Sequence, residues 1–217
     1  MISYKNISLA DRVFETVEKQ ILGGTYARGQ YISEKMLCED LGVSRTPVRE
    51  AISRLEEEDL VEETPQGTIV VGMTNEDMRD VYEVKSRVEA LAMRRAAEKI
   101  DDETLKLLDD LLDQQEFYVQ KGDIEKVRDL DTRFHDTIYK ASGSRVLNRV
   151  LSPIHHKVMR YRRASLEQHE GRAVQSVGEH RAIYDALAAH DPDAVEEALQ
   201  IHVANAFQNA LEVTVEK

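Results

Sequence analysis

The chain has 217 residues, enough for two modest domains, with a formal net charge of −12 at pH 7, 41% hydrophobic residues, 6% aromatic residues and no tryptophan. A core so poor in aromatics must be built from Leu, Val, Ile and Ala, which favours helices. The single cysteine, Cys38, rules out an intrachain disulfide, the N-terminus MISYKNISLADRVF lacks a signal-like apolar run, and nothing approaches the roughly 20 apolar residues of a membrane span, so a soluble cytoplasmic protein is expected.

From Ser8 to Leu22 the apolar residues Val13, Val17 and Ile21 recur at helical spacing until Gly23-Gly24 stops the run. Ser33 is the expected N-cap of a short helix through Asp40, and Gly42 breaks it before a helix from Ser44 to Glu58. Two helices meeting at Leu41-Gly42-Val43 suit a helix-turn-helix. Leu60–Glu63 and Thr68–Val71 read as short strands joined by Pro65-Gln66-Gly67, a hairpin wing. Thr74 with Asp77 resembles a capping box that opens a long helix.

Helical periodicity then continues to the end, interrupted so as to give six helices near 75–99, 101–120, 123–141, 145–166, 171–189 and 192–213, with Pro153 expected to kink the fourth. The fold class expected is mainly α: a winged helix-turn-helix over 1–72 that binds DNA, and an antiparallel all-α bundle over 73–217 that binds an effector and dimerises.

Acidity opposes binding to DNA by net charge. Residues 1–72 carry 8 Lys+Arg against 13 Asp+Glu, a balance of −5, and the remainder 21 against 28, a balance of −7. Any DNA contact must therefore rest on local placement. In SRTPVREAISRLEEE, Val48, Ala51, Ile52 and Leu55 commit one helix face to a core. Arg45 and Arg49 project together from another face near the helix start, where a major-groove helix presents arginines to guanine edges. Ser44 and Thr46 offer hydroxyls to phosphate. A solvated face pairing with nearby acids is the competing reading of the two arginines.

The stretch LCEDLGVSRTPVREAISRLEEEDLVEETPQGTIVV resembles the DNA-binding domain of the GntR family of bacterial regulators, with LGVSRTPVREAISRL its most specific part. The resemblance implies that Arg45 and Arg49 contact bases or phosphates, that Thr46 assists, that Lys35 reaches DNA from the preceding helix, and that Gly67 lets the wing backbone approach the minor groove. Two positions depart: Asp59 stands where the family usually has Gly, altering the turn into the wing, and Lys35 stands where some members have Arg, which weakens bidentate contact there.

In the bundle, His155, His156, His169 and His190 lie near helix ends or polar stretches and read as surface or capping residues. His180 instead shares an apolar stripe with Val177, Tyr184 and Leu187, and His202 one with Val195, Ala198, Leu199 and Ala206. Asp131 and His135 lie four apart at the edge of the stripe Val127, Leu130, Phe134, Ile138. Each alone is readily a hydrogen-bonded core residue. Together, one carboxylate and three imidazoles on inward faces are enough to hold a divalent transition metal with room for exogenous ligands.

From Thr74 to Glu212 the chain also resembles the FCD ligand-binding domain of FadR-type GntR regulators, on DTRFHD and GEHRAIYDAL. In its metal-binding branch an Asp and three His coordinate zinc, nickel or a similar ion, here Asp131, His135, His180 and His202. The resemblance implies a repressor, a homodimer on palindromic operator DNA, controlled by a small organic acid whose carboxylate reaches the metal with help from an Arg on the first bundle helix. In YEVKSRVEA, Lys85 takes that position and Arg87 lies nearly opposite, so which faces the pocket is open; Arg162 and Asn205 are further candidates. A metal-responsive regulator without organic effector, and a metal-dependent hydrolase, are the alternatives; no residue is spaced as a general base for the latter.

Overall fold

The computed structural model describes the backbone of residues 8–168 and 171–215; His169 lies outside them. The chain divides after Thr74 into two compact units.

The first unit contains α1 (Leu9–Leu22), β1 (Tyr31–Ile32), α2 (Glu34–Leu41), α3 (Arg45–Glu57), β2 (Val61–Thr64) and β3 (Gly67–Val70). Ser8 and Asp11 start α1 reciprocally: the Ser8 hydroxyl accepts from Asp11 N at 3.0 Å and the Asp11 carboxylate accepts from Ser8 N at 3.0 Å. The apolar faces of α1 (Val13, Phe14, Val17, Ile21) and α3 (Val48, Ala51, Ile52, Leu55) are buried, and the two helices pack together. Ser33 caps α2, and Gly42 ends it at φ 64°, a left-handed turn that redirects the chain into α3.

The wing is larger than the hairpin expected from sequence. β3 lies between β2 and β1, all antiparallel, with Val61 opposite Val70 and Ile32 opposite Thr68. Two residues are too few for β1 to show an alternating pattern, and its partner lies far along the chain.

The second unit holds the six helices expected: α4 (Asn75–Lys99), α5 (Asp102–Lys121), α6 (Ile124–Ala141), α7 (Arg145–Gln168), α8 (Arg172–Ala188) and α9 (Pro192–Val215). Asp101 and Asp123 cap α5 and α6 through Thr104 N and Lys126 N. Helix α7 runs on through Pro153. Helix α4 packs on α6, α7 and α9, and α8 packs on α5 and α9, so inward faces of all six can reach a common centre. Met93, Leu108, Leu111, Leu112, Phe134, Tyr139 and Leu151 are fully buried there.

Candidate functional site

On α3, the buried face takes Val48, Ala51, Ile52 and Leu55, which leaves Arg45, Thr46 and Arg49 exposed on the other side. Ser44 occupies the N-cap but its side chain makes no capping bond, so its hydroxyl stays available at the helix start. The Arg49 Nε donates to Glu34 Oε1 of α2 at 2.7 Å, which steers the guanidinium while leaving it 64% exposed. Arg45 has no ion pair among the described residues, and Lys35 is exposed with Glu39 3.8 Å away. At the wing tip Gly67 adopts φ 128°, a conformation that side chains disfavour, and its carbonyl accepts from the Thr64 hydroxyl at 2.7 Å. The surface assembled here is one of few, well-placed cations among acids, not a basic field.

In the bundle, Asp131, His135, His180 and His202 are all buried and meet at one centre. His135 Nε2 lies 3.3 Å from His180 Nε2, and Asp131 Oδ2 lies 3.6 Å from His180 Nε2. The three imidazoles offer nitrogens within 4.8 Å of one another. Each is held from behind: His135 Nδ1 by Glu89 Oε1 at 3.0 Å, His180 Nδ1 by Gln115 Oε1 at 2.9 Å, and His202 Nδ1 by Glu179 Oε2 at 2.8 Å. An acceptor behind each Nδ1 fixes that nitrogen as the N–H and turns the Nε2 lone pair inward, the tautomer a metal requires. Asp131 Oδ1 is buried and, among the described residues, accepts no well-aligned hydrogen bond, with His155 Nε2 3.2 Å away. Three convergent lone pairs and an unsatisfied carboxylate oxygen fit a divalent transition metal.

The electrostatics agree. Burial pushes His135 down to about 4, with His155 adding to the effect, and His180 down to about 3, so both are neutral at pH 7. His202 is held well below the usual range by burial and by its two imidazole neighbours. Burial alone would raise the Glu89 carboxyl, but the Lys85 ammonium and the His135 hydrogen bond outweigh it and hold the group well below the usual carboxylate range; Asp131 is held low as well, the imidazoles around it, once protonated, and the Arg162 guanidinium outweighing burial.

The other effector candidates divide. Lys85 faces the interior, 3% exposed, and pairs with Glu89, whereas Arg87 is on the outside with Glu83 at 2.9 Å. The question left open by sequence is decided by burial, and Arg87 is corrected to a surface residue. Arg162 is buried with its Nη1 3.9 Å from Asp131 Oδ2. Asn205 donates to Glu179 Oε1 at 2.8 Å, so it acts behind His202.

His155 is the clearest correction. Assigned from sequence to the surface group, it is 1% exposed, with Nε2 3.2 Å from Asp131 Oδ1. It sits on the α7 stripe Leu147, Leu151, His155, Val158, Arg162, all buried, and that helical spacing was the signal available in the sequence. Glu89 and Gln115 were missed likewise, each a polar residue interrupting an apolar stripe on α4 or α5. His156 and His190 do lie at the surface, His156 near Asp136 and His190 bonded to Ala97 O at the α8–α9 turn.

Known proteins resolve what such a pair of units is. Residues 9–71 match the bacterial regulatory proteins of the gntR family, and residues 80–205 match the FCD domain. The chain belongs to the GntR family. It is a DNA-binding transcription regulator of that family, and it carries the FCD domain as its second unit. It is 27% identical over 189 residues to the transcriptional repressor RspR of Escherichia coli K12, covering 87% of this chain and 82% of the relative. It is 26% identical to the galactonate operon transcriptional repressor of the same organism, over 96% of this chain and 99% of the relative. The solved structure of E. coli McbR/YncC has the same fold, with a TM-score of 0.68 and 24% identity across 93% of this chain and 98% of that one.

Proposed function

We propose that this GntR-family regulator is a cytoplasmic repressor whose operator affinity is set by a small organic acid bound at a zinc or nickel ion in the FCD bundle. The observation that carries the reading is the set of three histidines whose Nδ1 atoms are each occupied from behind, by Glu89, Gln115 and Glu179, beside the buried Asp131 carboxylate, whose Oδ1 accepts no hydrogen bond among the described residues. His135, His180, His202 and Asp131 hold the ion, and the ion supplies a Lewis-acidic position for a carboxylate. Lys85 and Arg162 bring positive charge to that region, and Asn205 steadies Glu179 behind His202.

On the DNA side Arg45 and Arg49 read bases in the major groove, with Ser44, Thr46 and Lys35 on phosphates and Gly67 at the minor groove. The protein acts as a homodimer on a palindrome. The exposed Val84 and Leu91 of α4 and Val146 and Val150 of the neighbouring α7 supply the apolar surface for that contact. Control requires only that the acid bind the DNA-competent and DNA-incompetent arrangements with different affinity.

The test combines metal analysis with operator binding. Protein purified without chelator is expected to carry one zinc or nickel per chain, and a carboxylic acid that raises its melting temperature is expected to weaken binding to promoter DNA. Replacing Arg45 and Arg49 by alanine should cost about 1–3 kcal/mol per lost base contact in fluorescence anisotropy. Metal-free protein with full response to an acid would overturn the metal assignment; a response to metal alone would make the ion the signal.

A further inference from the structure

The metal reading leaves a charge to be balanced. Among the described residues the acidic and basic side chains buried around the centre are three of each kind: Lys85, Arg162 and Arg172, and Glu89, Asp131 and Glu179, all at most 8% exposed. They cancel. Histidines that donate through Nδ1 and offer Nε2 as a lone pair are neutral, so they add nothing. A divalent ion therefore brings two uncompensated positive charges into a region where unbalanced charge is costly to bury.

Two side chains beside the ion's position are short of partners. Arg162 is 3% exposed, yet among the described residues its contacts are Asp131 Oδ2 at 3.9 Å, Ser176 Oγ at 3.5 Å and Met159 Sδ at 3.6 Å, none of them a strong charge-assisted bond. His155 is 1% exposed, and among the described residues the acid closest to it is Asp131, whose Oδ1 lies 3.2 Å from Nε2 without the alignment of a good hydrogen bond. The two are seven residues apart, two turns along one face of α7, and they flank the Asp131 carboxylate from either side. Once Asp131 is committed to a metal, both are left to find another acceptor. The second grouping of potential ligands, Glu89, His135 and His155, is not a rival metal site, since the Lys85 ammonium already pairs with Glu89.

We propose that the effector is a small dicarboxylate dianion, one carboxylate meeting the metal and the other received by His155 and Arg162 on α7. The proposal rests on the metal-site reading above. Its two charges restore neutrality, whereas a monoanion leaves one positive charge buried.

The experiment uses zinc-loaded full-length protein and calorimetric titration with malonate, succinate and glutarate, each against its own monomethyl ester, and with galactonate as a hydroxylated monoanion. At least one diacid is expected to bind about tenfold or more tightly than its monoester, since each lost buried charge contact weighs at least that much. His155→Phe should erase most of the difference with zinc content unchanged; His155→Gln, which keeps a donor, should retain part of it and stands in if the Phe variant does not fold. Equal binding of diacid and monoester, tighter binding of galactonate, binding by none of the diacids, or a preference that survives both substitutions overturns the proposal. Loss of zinc from the His155 variants would make that residue a ligand and also overturns it. Failure of the wild type to take up zinc sinks the metal reading itself, whereas zinc uptake without preference for a dianion sinks this inference alone.

Discussion

Asp59 illustrates how one residue records a cost that sequence can flag but not weigh. It stands between α3 and β2, where the family resemblance leads one to expect glycine, and its φ of 54° lies in the left-handed region that disfavours a β-carbon. Aspartate tolerates this better than most residues, so the turn forms, but glycine would relieve it. Asp59→Gly is expected to stabilise the protein by up to about 1 kcal/mol, read as a higher urea midpoint; a lower midpoint would show that contacts of the Asp59 side chain outweigh the strain. Gln115 makes the complementary case. Its side-chain oxygen holds His180 Nδ1 from behind, at 2.9 Å, on the side of the ring away from the proposed metal. Gln115→Leu keeps the volume and removes the acceptor, and is expected to weaken zinc binding by about 10–100-fold in a competition titration with a chromophoric chelator. Unchanged affinity would mean that packing alone aims the ring, for instance the stacking of His180 on Phe134 at 4.9 Å.

At the scale of elements, the bundle places titratable groups from α6, α8 and α9 where only their neutral form is at home. His135 and His180 drop from an ordinary 6.5 to about 4 and about 3 through burial. Between pH 6.5 and 4 the unfolded chain therefore binds more protons at these sites than the folded one, and stability falls as the pH falls. For the metal-free protein the slope from each of the two histidines approaches about 1.4 kcal/mol per pH unit in that window. Of the groups that face these imidazoles, Glu89 and Asp131 are held well below the usual carboxylate range, so their own loss of charge comes lower in pH. Urea denaturation at pH 7, 6, 5 and 4 checks this: stability flat to pH 4 would mean that the two imidazoles titrate in the folded protein as they do in the unfolded chain, contrary to their burial as neutral groups.

For the whole molecule, the second unit leaves Val84 and Leu91 on α4 and Val146 and Val150 on α7 in solvent, with Val146 71% exposed. Apolar residues gathered on adjacent helices are covered in most stable proteins by another surface. Val84→Glu with Val150→Glu introduces like charges into the proposed contact, and is expected to convert a dimer into a monomer by light scattering while the helical signal in circular dichroism persists. Operator binding should drop with it, because one half-site contributes only part of the affinity. A double variant that stays dimeric would move the interface to another face.

How much of this was legible depended on whether the signal was local. Helix boundaries in both units, the Gly42 corner, the wing hairpin and the inward Asp131, His135, His180 and His202 all follow from caps, breakers and 3.6-residue periodicity, which act within a few residues along the chain. Strand β1 was not legible, since Tyr31 and Ile32 become a strand only by pairing with Ile69 and Thr68. Nor were the partners behind each histidine, the choice of Lys85 over Arg87, or the burial of His155. These depend on which helix faces which, and a polar residue in an apolar stripe acquires its chemical role only when tertiary packing removes water and supplies, or withholds, its partner.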